Sequence, residues 1–182
     1  GKALWGNLYG QWLCEGAVFT YDFDRFDAEK ILPMFAKYKI TTFCAPPTMY
    51  RMLIKQDLSG YDLSSIHHAT TAGEALNPEV FYQFEKSTGL RIHEGFGQTE
   101  MTLGIANLYG AHIKPGAMGK PVPGYGIDLV DSDGNKQDVT WSASNYRASV
   151  NGNKVTCSSS GTVKISCVID GEKYTCIVRV SK

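Results

Sequence analysis

The chain has 182 residues, of which 43% are hydrophobic and 20% charged, which supplies a packed core and excludes global disorder. Eighteen Lys+Arg balance eighteen Asp+Glu, a formal net charge of zero, so no global field recruits nucleic acid or an anionic membrane. A chain this long holds one ordinary domain or two small ones.

The opening stretch, "GKALWGNLYGQWLCEGAVF", is apolar, but Asn7, Gln11 and Glu15 interrupt it and it lacks the order of a cleavable signal. No stretch is long and clean enough to span a bilayer. It reads as a buried helix or loop cut from something longer. Cys14 and Cys44 sit among apolar residues, which suits inert reduced thiols.

Asp27 is placed to cap a helix whose apolar positions Ile31, Met34, Phe35 and Tyr38 fall at helical spacing. Pro33 within it predicts a kink or a late start. "ITTFCA" is short and β-branched, a buried strand that Pro46 and Pro47 end, and a helix carrying Met49, Met52 and Leu53 follows. "IHHATTAG" is the next strand, ending at Gly73. Asn77 then caps a helix with Pro78 in its first turn, an apolar face of Val80, Phe81 and Phe84, and Gly89 at its end. "LRIHEGFG" is another strand. This rhythm of strand and helix predicts a parallel sheet with right-handed crossovers.

After "VDSDGN" the texture changes. The tail has no helical period and no proline, and it alternates strictly: Val163, Ile165, Cys167 and Ile169, then Tyr174, Cys176, Val178 and Val180 beyond an Asp170-Gly171 turn. That pattern is a β-hairpin from a half-buried antiparallel sheet. The division is placed at residues 1–135 and 136–182. Cys167 and Cys176 would face one another if the turn were centred on Gly171 and Glu172, but an Asp170-Gly171 turn shifts the register by two. Free thiols are the expected state there, and the absence of Cys-x-x-Cys argues against a zinc site.

In a parallel α/β sheet, ligands bind beyond the carboxyl ends of the strands. Two such ends carry polar loops, "TTAGEALNP" (70–78) and "EGFGQTEM" (94–101). Gly73, Gly95 and Gly97 would let backbone N–H groups approach a ligand that a Cβ excludes. Phe96 offers a flat face for a nucleobase, Thr99 a hydroxyl for a phosphate oxygen, and Glu100 a hard carboxylate for Mg²⁺. Spacing alone leaves a simple tight turn and a solvated Glu100 as an equal reading. "GAMGK" (116–120) is not a phosphate-binding P-loop, because Pro121 follows its lysine and its glycines are too close. His67, His68, His93 and His112 lack metal-ligand spacing, so structural roles are expected for them.

Residues 1–135 resemble the middle of adenylate-forming acyl-CoA synthetases, most like the medium-chain group. "FCAPPTMYRMLIKQDLSGYDLSSIHHATTAGEALNPEVF", "EGFGQTEM" and "KPGAMGKPVPGYGIDLVDSDGN" carry the resemblance. It implies a two-step ATP-dependent ligase: a carboxylate attacks the α-phosphate, giving acyl-adenylate and pyrophosphate, and coenzyme A thiol then displaces AMP. It also implies that Gly73, Glu74 and Ala75 line the adenine and phosphate side. Glu94, Gly95, Phe96, Gly97, Gln98 and Thr99 would form the nucleotide loop. Thr99 would touch the α-phosphate or acyl carboxylate, and Glu100 would hold Mg²⁺. Trp5 falls in the region that shapes the acyl pocket.

The resemblance exposes gaps as well, since such enzymes are well over twice this length. The Ser/Thr/Gly-rich phosphate loop, the ribose-binding aspartate and the C-terminal catalytic lysine have no counterpart in these 182 residues. The tail resembles the second half of a bacterial immunoglobulin-like adhesin repeat, with Trp141 as its core tryptophan and open β edges that favour self-association. The expectation is therefore an α/β piece, a parallel-sheet βαβ part of an adenylate-forming enzyme, followed by a small, incomplete immunoglobulin-like antiparallel segment. The first half points to the cytoplasm and the tail alone to the cell surface, so a structural or adhesive module and a chimera without evolved function remain alternatives.

Overall fold

The computed structural model describes residues 4–128, 130, 133–135, 139–151, 154–169 and 171–180. They form two compact units, Gly1–Ile127 and Asp128–Lys182.

In the first unit a short π-helical turn, Trp5–Tyr9, runs into α1, Gly10–Leu13. This segment was expected to be buried, yet Leu13 is 82% exposed and Cys14 is exposed as well. With so few residues it buries almost no face of its own. Helix α2, Ala28–Tyr38, begins where Asp27 accepts a hydrogen bond from the Glu29 N–H, satisfying one of the orphan donors of its first turn. Pro33 neither delays the helix nor breaks it, and Leu32 rather than Tyr38 completes the buried face with Phe35.

Strand β1, Thr42–Cys44, pairs in parallel with β2, His68–Ala72, and β2 pairs in parallel with β3, Ile92–Phe96. Helix α3, Pro47–Leu53, lies between the first two strands in sequence, and α4, Pro78–Thr88, between the second two. β1 is not the buried strand expected: it lies at the sheet edge and is exposed to half-buried along its length. Likewise α3 buries Pro47, Tyr50 and Leu53, while Met49 is only partly buried and Met52 is exposed. Helix α4 has the Asn77 cap, first-turn Pro78 and left-handed Gly89 that the sequence predicts.

Beyond β3 the sheet turns antiparallel. β4, Ile105–Ala106, pairs with β3, and β5, Lys120–Pro121, pairs with β4, giving the order β1-β2-β3-β4-β5. "GAMGK" is a turn leading into β5, with the Ala117 N–H bonded to the Lys114 carbonyl. Phe43, Ala69 and Ile92 lie side by side on one sheet face, covered by Leu32, Phe35, Tyr50, Val80, Phe81 and Phe84. The other face carries Cys44, His68, Thr70 and His93, all half-buried.

The second unit contains β6 (Ser142–Ala143), β7 (Ala148–Asn151), β8 (Lys154–Cys157), β9 (Gly161–Ile169) and β10 (Glu172–Val180). They make a three-stranded sheet, β10-β9-β6, and a two-stranded one, β7-β8. Ile169 lies opposite Glu172, and the Asp170 half of the expected turn is outside the described residues. Cys167 therefore faces Tyr174, Cys176 faces Ile165, and both are free thiols. Val163 and Ile165 form the small core with Ala148, and Trp141, Val150 and Val178 pack against it.

Candidate functional site

Strands β2 and β3 run parallel with Ala72 opposite Gly95, so both point their carboxyl ends the same way. The loops that follow, 73–77 and 97–104, start side by side. Thr71 anchors the first by donating to the Ala45 carbonyl at 2.8 Å. Glu94 ties that loop to β3: its carboxylate, on a residue only 5% exposed, accepts from the Leu76 N–H at 2.9 Å. A buried acceptor on that N–H is a structural brace. Glu94 was expected in the nucleotide loop as a ligand contact, but its Oε1 faces inward onto the protein's own backbone.

The glycines divide in an unexpected way. Gly95 and Gly97 were expected to admit a ligand; the protein itself fills the space beside them. A Cβ on Gly97 would overlap the Thr102 carbonyl, and one on Gly95 would press on Leu103 at 2.7 Å. These glycines let residues 101–103 fold back over β3, where the Gly104 N–H bonds to the Phe96 carbonyl at 2.9 Å. Gly73 differs. It has φ of 95° and nothing lies within 4 Å of where its Cβ would stand, so its backbone is bare on that side.

Around that opening, Glu74 is exposed and bonded to the Thr48 hydroxyl at 2.9 Å and Arg51 at 3.3 Å, joining loop 73–77 to α3. Ala75 is exposed beside it. Phe96 is 40% exposed at the end of β3, and Gln98, Thr99 and Glu100 are exposed beyond it. Trp5 reaches this loop from the other end of the sequence, its indole N–H donating to the Thr99 carbonyl at 3.1 Å. The structure thus brings Trp5, Gly73, Glu74, Phe96, Thr99 and Glu100 to one end of the sheet. A hollow of about 810 Å³ in this unit is lined by residues between Tyr21 and Gln56 and by none from either loop.

Three features had no local sequence signal. Asn107 is buried, and its amide donates to the Ala117 carbonyl at 2.8 Å while its N–H meets the Glu94 carbonyl at 2.9 Å. The Tyr125 hydroxyl bonds to the Met101 carbonyl and lies 3.0 Å from the Thr102 hydroxyl. On the half-open sheet face, the His68 and His93 rings are 4.5 Å apart with Tyr109 against both. His93 Nδ1 lies 2.8 Å from the Asn107 carbonyl, an acceptor only, so in the neutral ring Nδ1 carries the proton. Burial, then the neighbouring His93, hold the His68 pKa below its ordinary value. Among the described residues, no three His, Cys, Asp or Glu side chains are grouped to hold a metal ion.

A sheet of this order, with two polar loops at the carboxyl ends of its parallel strands, matches the frame of adenylate-forming enzymes. The family model "AMP-binding enzyme" matches residues 4–140, and the chain belongs to that family. Among curated relatives it is 44% identical over 133 residues to the mitochondrial acyl-coenzyme A synthetase ACSM3 of Rattus norvegicus, covering 73% of this chain and 23% of that protein. It is 45% identical over 134 residues to the mitochondrial acyl-coenzyme A synthetase ACSM4 of Homo sapiens, with 74% and 23% covered. The chain thus spans about a quarter of the length of the curated relatives it matches. The anthranilate CoA ligase AuaEII, solved with anthranoyl-AMP, superposes with a TM-score of 0.70 at 29% identity, covering 90% of this chain and 28% of that one. A Brucella canis acyl-CoA synthetase shares the fold, with a TM-score of 0.68 over 93% of this chain and 28% of that one at 24% identity.

Proposed function

We propose that this chain carries the adenine-side portion of an acid–thiol ligase active site, the part that holds ATP and then the acyl-adenylate of a small carboxylic acid. One observation carries the reading: the bare Gly73 backbone stands beside the Phe96–Glu100 loop at the carboxyl ends of two parallel strands. Gly73, Glu74 and Ala75 would line one side of the nucleotide and Phe96 would lie against the adenine. Gly97, Gln98 and Thr99 would follow the phosphates, with the Thr99 hydroxyl donating to the α-phosphate or acyl carboxylate. Glu94 would serve from behind as the brace of loop 73–77, and Gly95 as the bare position against which Leu103 packs. The exposed carboxylate of Glu100 is a hard oxygen donor suited to Mg²⁺. When bound, the ion would neutralise phosphate charge as pyrophosphate leaves.

The second half-reaction, attack of coenzyme A thiol on the acyl-adenylate, belongs to the same proposal. So does a cytoplasmic location, with the mitochondrion of the ACSM relatives as the alternative compartment. By themselves these 182 residues would not turn over. Adenylation needs fixed positive donors around phosphorus, and losing one preorganised donor costs roughly 10²–10³-fold. The expected result is no pyrophosphate release from ATP with C2–C12 carboxylic acids. Calorimetry should instead show binding of a non-hydrolysable acyl-adenylate mimic that Phe96→Ala and Glu100→Ala both weaken. Unchanged binding in both variants would remove this site.

A second reading concerns residues 136–182, the segment that resembles part of an immunoglobulin-like repeat. β10 is a nine-residue edge strand with Tyr174 and Ile177 more than half exposed, a template for pairing with another copy. Sedimentation at increasing concentration, with and without residues 138–182, tests it; equal association in both would exclude β10.

A further inference from the structure

The loop that carries Thr99 and Glu100 is not shaped by its own residues alone. Between Phe96 and Gly104 the chain closes an antiparallel connection from β3 to β4, with the Gly104 N–H on the Phe96 carbonyl. Inside it, Thr102 has φ of 60°, a left-handed conformation that a β-branched residue adopts only when its surroundings impose it. The surroundings that impose it are distant in sequence. Tyr125 points its hydroxyl at the loop, bonding the Met101 carbonyl and the Thr102 hydroxyl. Tyr125 is itself held by a turn in which its N–H bonds the Val122 carbonyl, and the Val122 N–H bonds the Gly104 carbonyl at 2.8 Å. Trp5 holds the opposite flank through the Thr99 carbonyl.

We infer that Tyr125 is a positioning residue for the Mg²⁺-nucleotide contact: its hydroxyl fixes the Met101–Thr102 turn and thereby the direction in which Glu100 and Thr99 face. The inference rests on the proposed nucleotide site for its functional half, while its structural half stands without it. The two directly bonded neighbours, Met101 and Thr102, immediately follow Glu100 in sequence, so freedom gained there is passed to the carboxylate. Phe96 precedes the loop on β3, where the sheet ladder to Ile105 holds it without the Tyr125 hydroxyl. Losing the hydroxyl should therefore weaken the ion-dependent part of binding and spare the purine-dependent part. A general packing defect would weaken both.

The test uses Tyr125→Phe, which keeps the ring and removes one oxygen. ATP affinity of the full chain is measured with and without Mg²⁺, and exchange of the backbone amides at 98–104 is followed without ligand. The clamp predicts that Mg²⁺ raises ATP affinity roughly three- to tenfold less in the variant than in the parent, the worth of one hydrogen bond. Affinity without Mg²⁺ should be unchanged, and amide exchange at 98–104 faster by a similar factor. Unchanged exchange would overturn the clamp whether or not nucleotide binds. Faster exchange in a parent chain that binds no ATP would sink the nucleotide reading and keep the clamp. Equal losses with and without Mg²⁺ would assign Tyr125 to packing alone and overturn the inference.

Discussion

Helix α4 and the β9–β10 hairpin have equally regular apolar patterns, and they end in different states. In α4 the three apolar positions Val80, Phe81 and Phe84 are all buried. In the hairpin, Val163, Ile165 and Cys167 of β9 are buried, but their partners across the ladder lose cover toward the turn: Val178 is half-buried, whereas Cys176 and Tyr174 are exposed. Periodicity decides which side chains share a face, and burial needs a second layer to close on that face. α4 has one, built from α2, α3 and the shared face of β2 and β3. Within the second unit, among the described residues, β10 meets the small cluster around Trp141 and Ala148 at Val178.

The strongest way to break this comparison is to remove the same residue type from each unit. Tyr50 is fully buried, with its ring edge-on to Phe43 at 5.5 Å and Phe84 at 5.1 Å. Its hydroxyl sits between the Phe43 and Thr70 carbonyls. Tyr50→Ala should cost about 3–5 kcal/mol, as aromatic truncations in cores do, read by urea unfolding with exchange of β2 and β3 amides as the local probe. Tyr174→Ala should cost below about 1 kcal/mol, the span of strand propensity at an exposed position. Comparable costs would mean that the second unit has a core unlike the one described.

Next in size is the cap that begins α4. Asn77→Ala removes the acceptor of the Glu79 N–H, which lies at 2.8 Å, and should cost about 1 kcal/mol. Asn77→Asp should cost almost nothing by the same measurement, because aspartate caps as well.

This cap also shows what was legible in the sequence. Asn77, Pro78 and Gly89 act through bonds and dihedrals within a few residues, so local chemistry specified α4 from end to end. β1 is less buried than its residue types suggest, because burial of a strand depends on what lies on both sides of it, and "ITTFCA" carries no mark of an edge. The loop residues from Gly73 to Glu100 stand out as candidates by their types and by the family they resemble. The reasons for the glycines do not. Gly97 is bare because Thr102 folds against it, and Trp5 meets Thr99 across ninety-four positions. Contacts of that span leave no periodic trace.

A smaller effect should distinguish the half-open sheet face from the covered one. Burial and His93 hold His68 below its ordinary pKa, 6.5, while Tyr109 closes over both rings. A histidine kept neutral by the fold binds its proton more readily when unfolded. Its contribution is therefore complete above about pH 6.5 and is lost as pH falls through and below that value. Unfolding free energy measured between pH 7.5 and 5 should decline in the parent and decline less steeply in His68→Gln. Equal slopes would show that His68 is solvated in both states.

The smallest effect is expected where the pattern is apolar and the face is open. Ile177 lies opposite Lys164 on β10, on the face away from Val163 and Val178, and is 56% exposed. Ile177→Thr keeps a β-branched side chain on the strand and removes only apolar surface already in water. It should change stability by no more than about 0.5 kcal/mol. If β10 pairs with a second copy, the same change should lower association at high concentration without touching the monomer. A loss of more than about 1.5 kcal/mol at low concentration would mean that this face is covered within one chain, and the contrast between α4 and the hairpin would then rest on a misplaced layer.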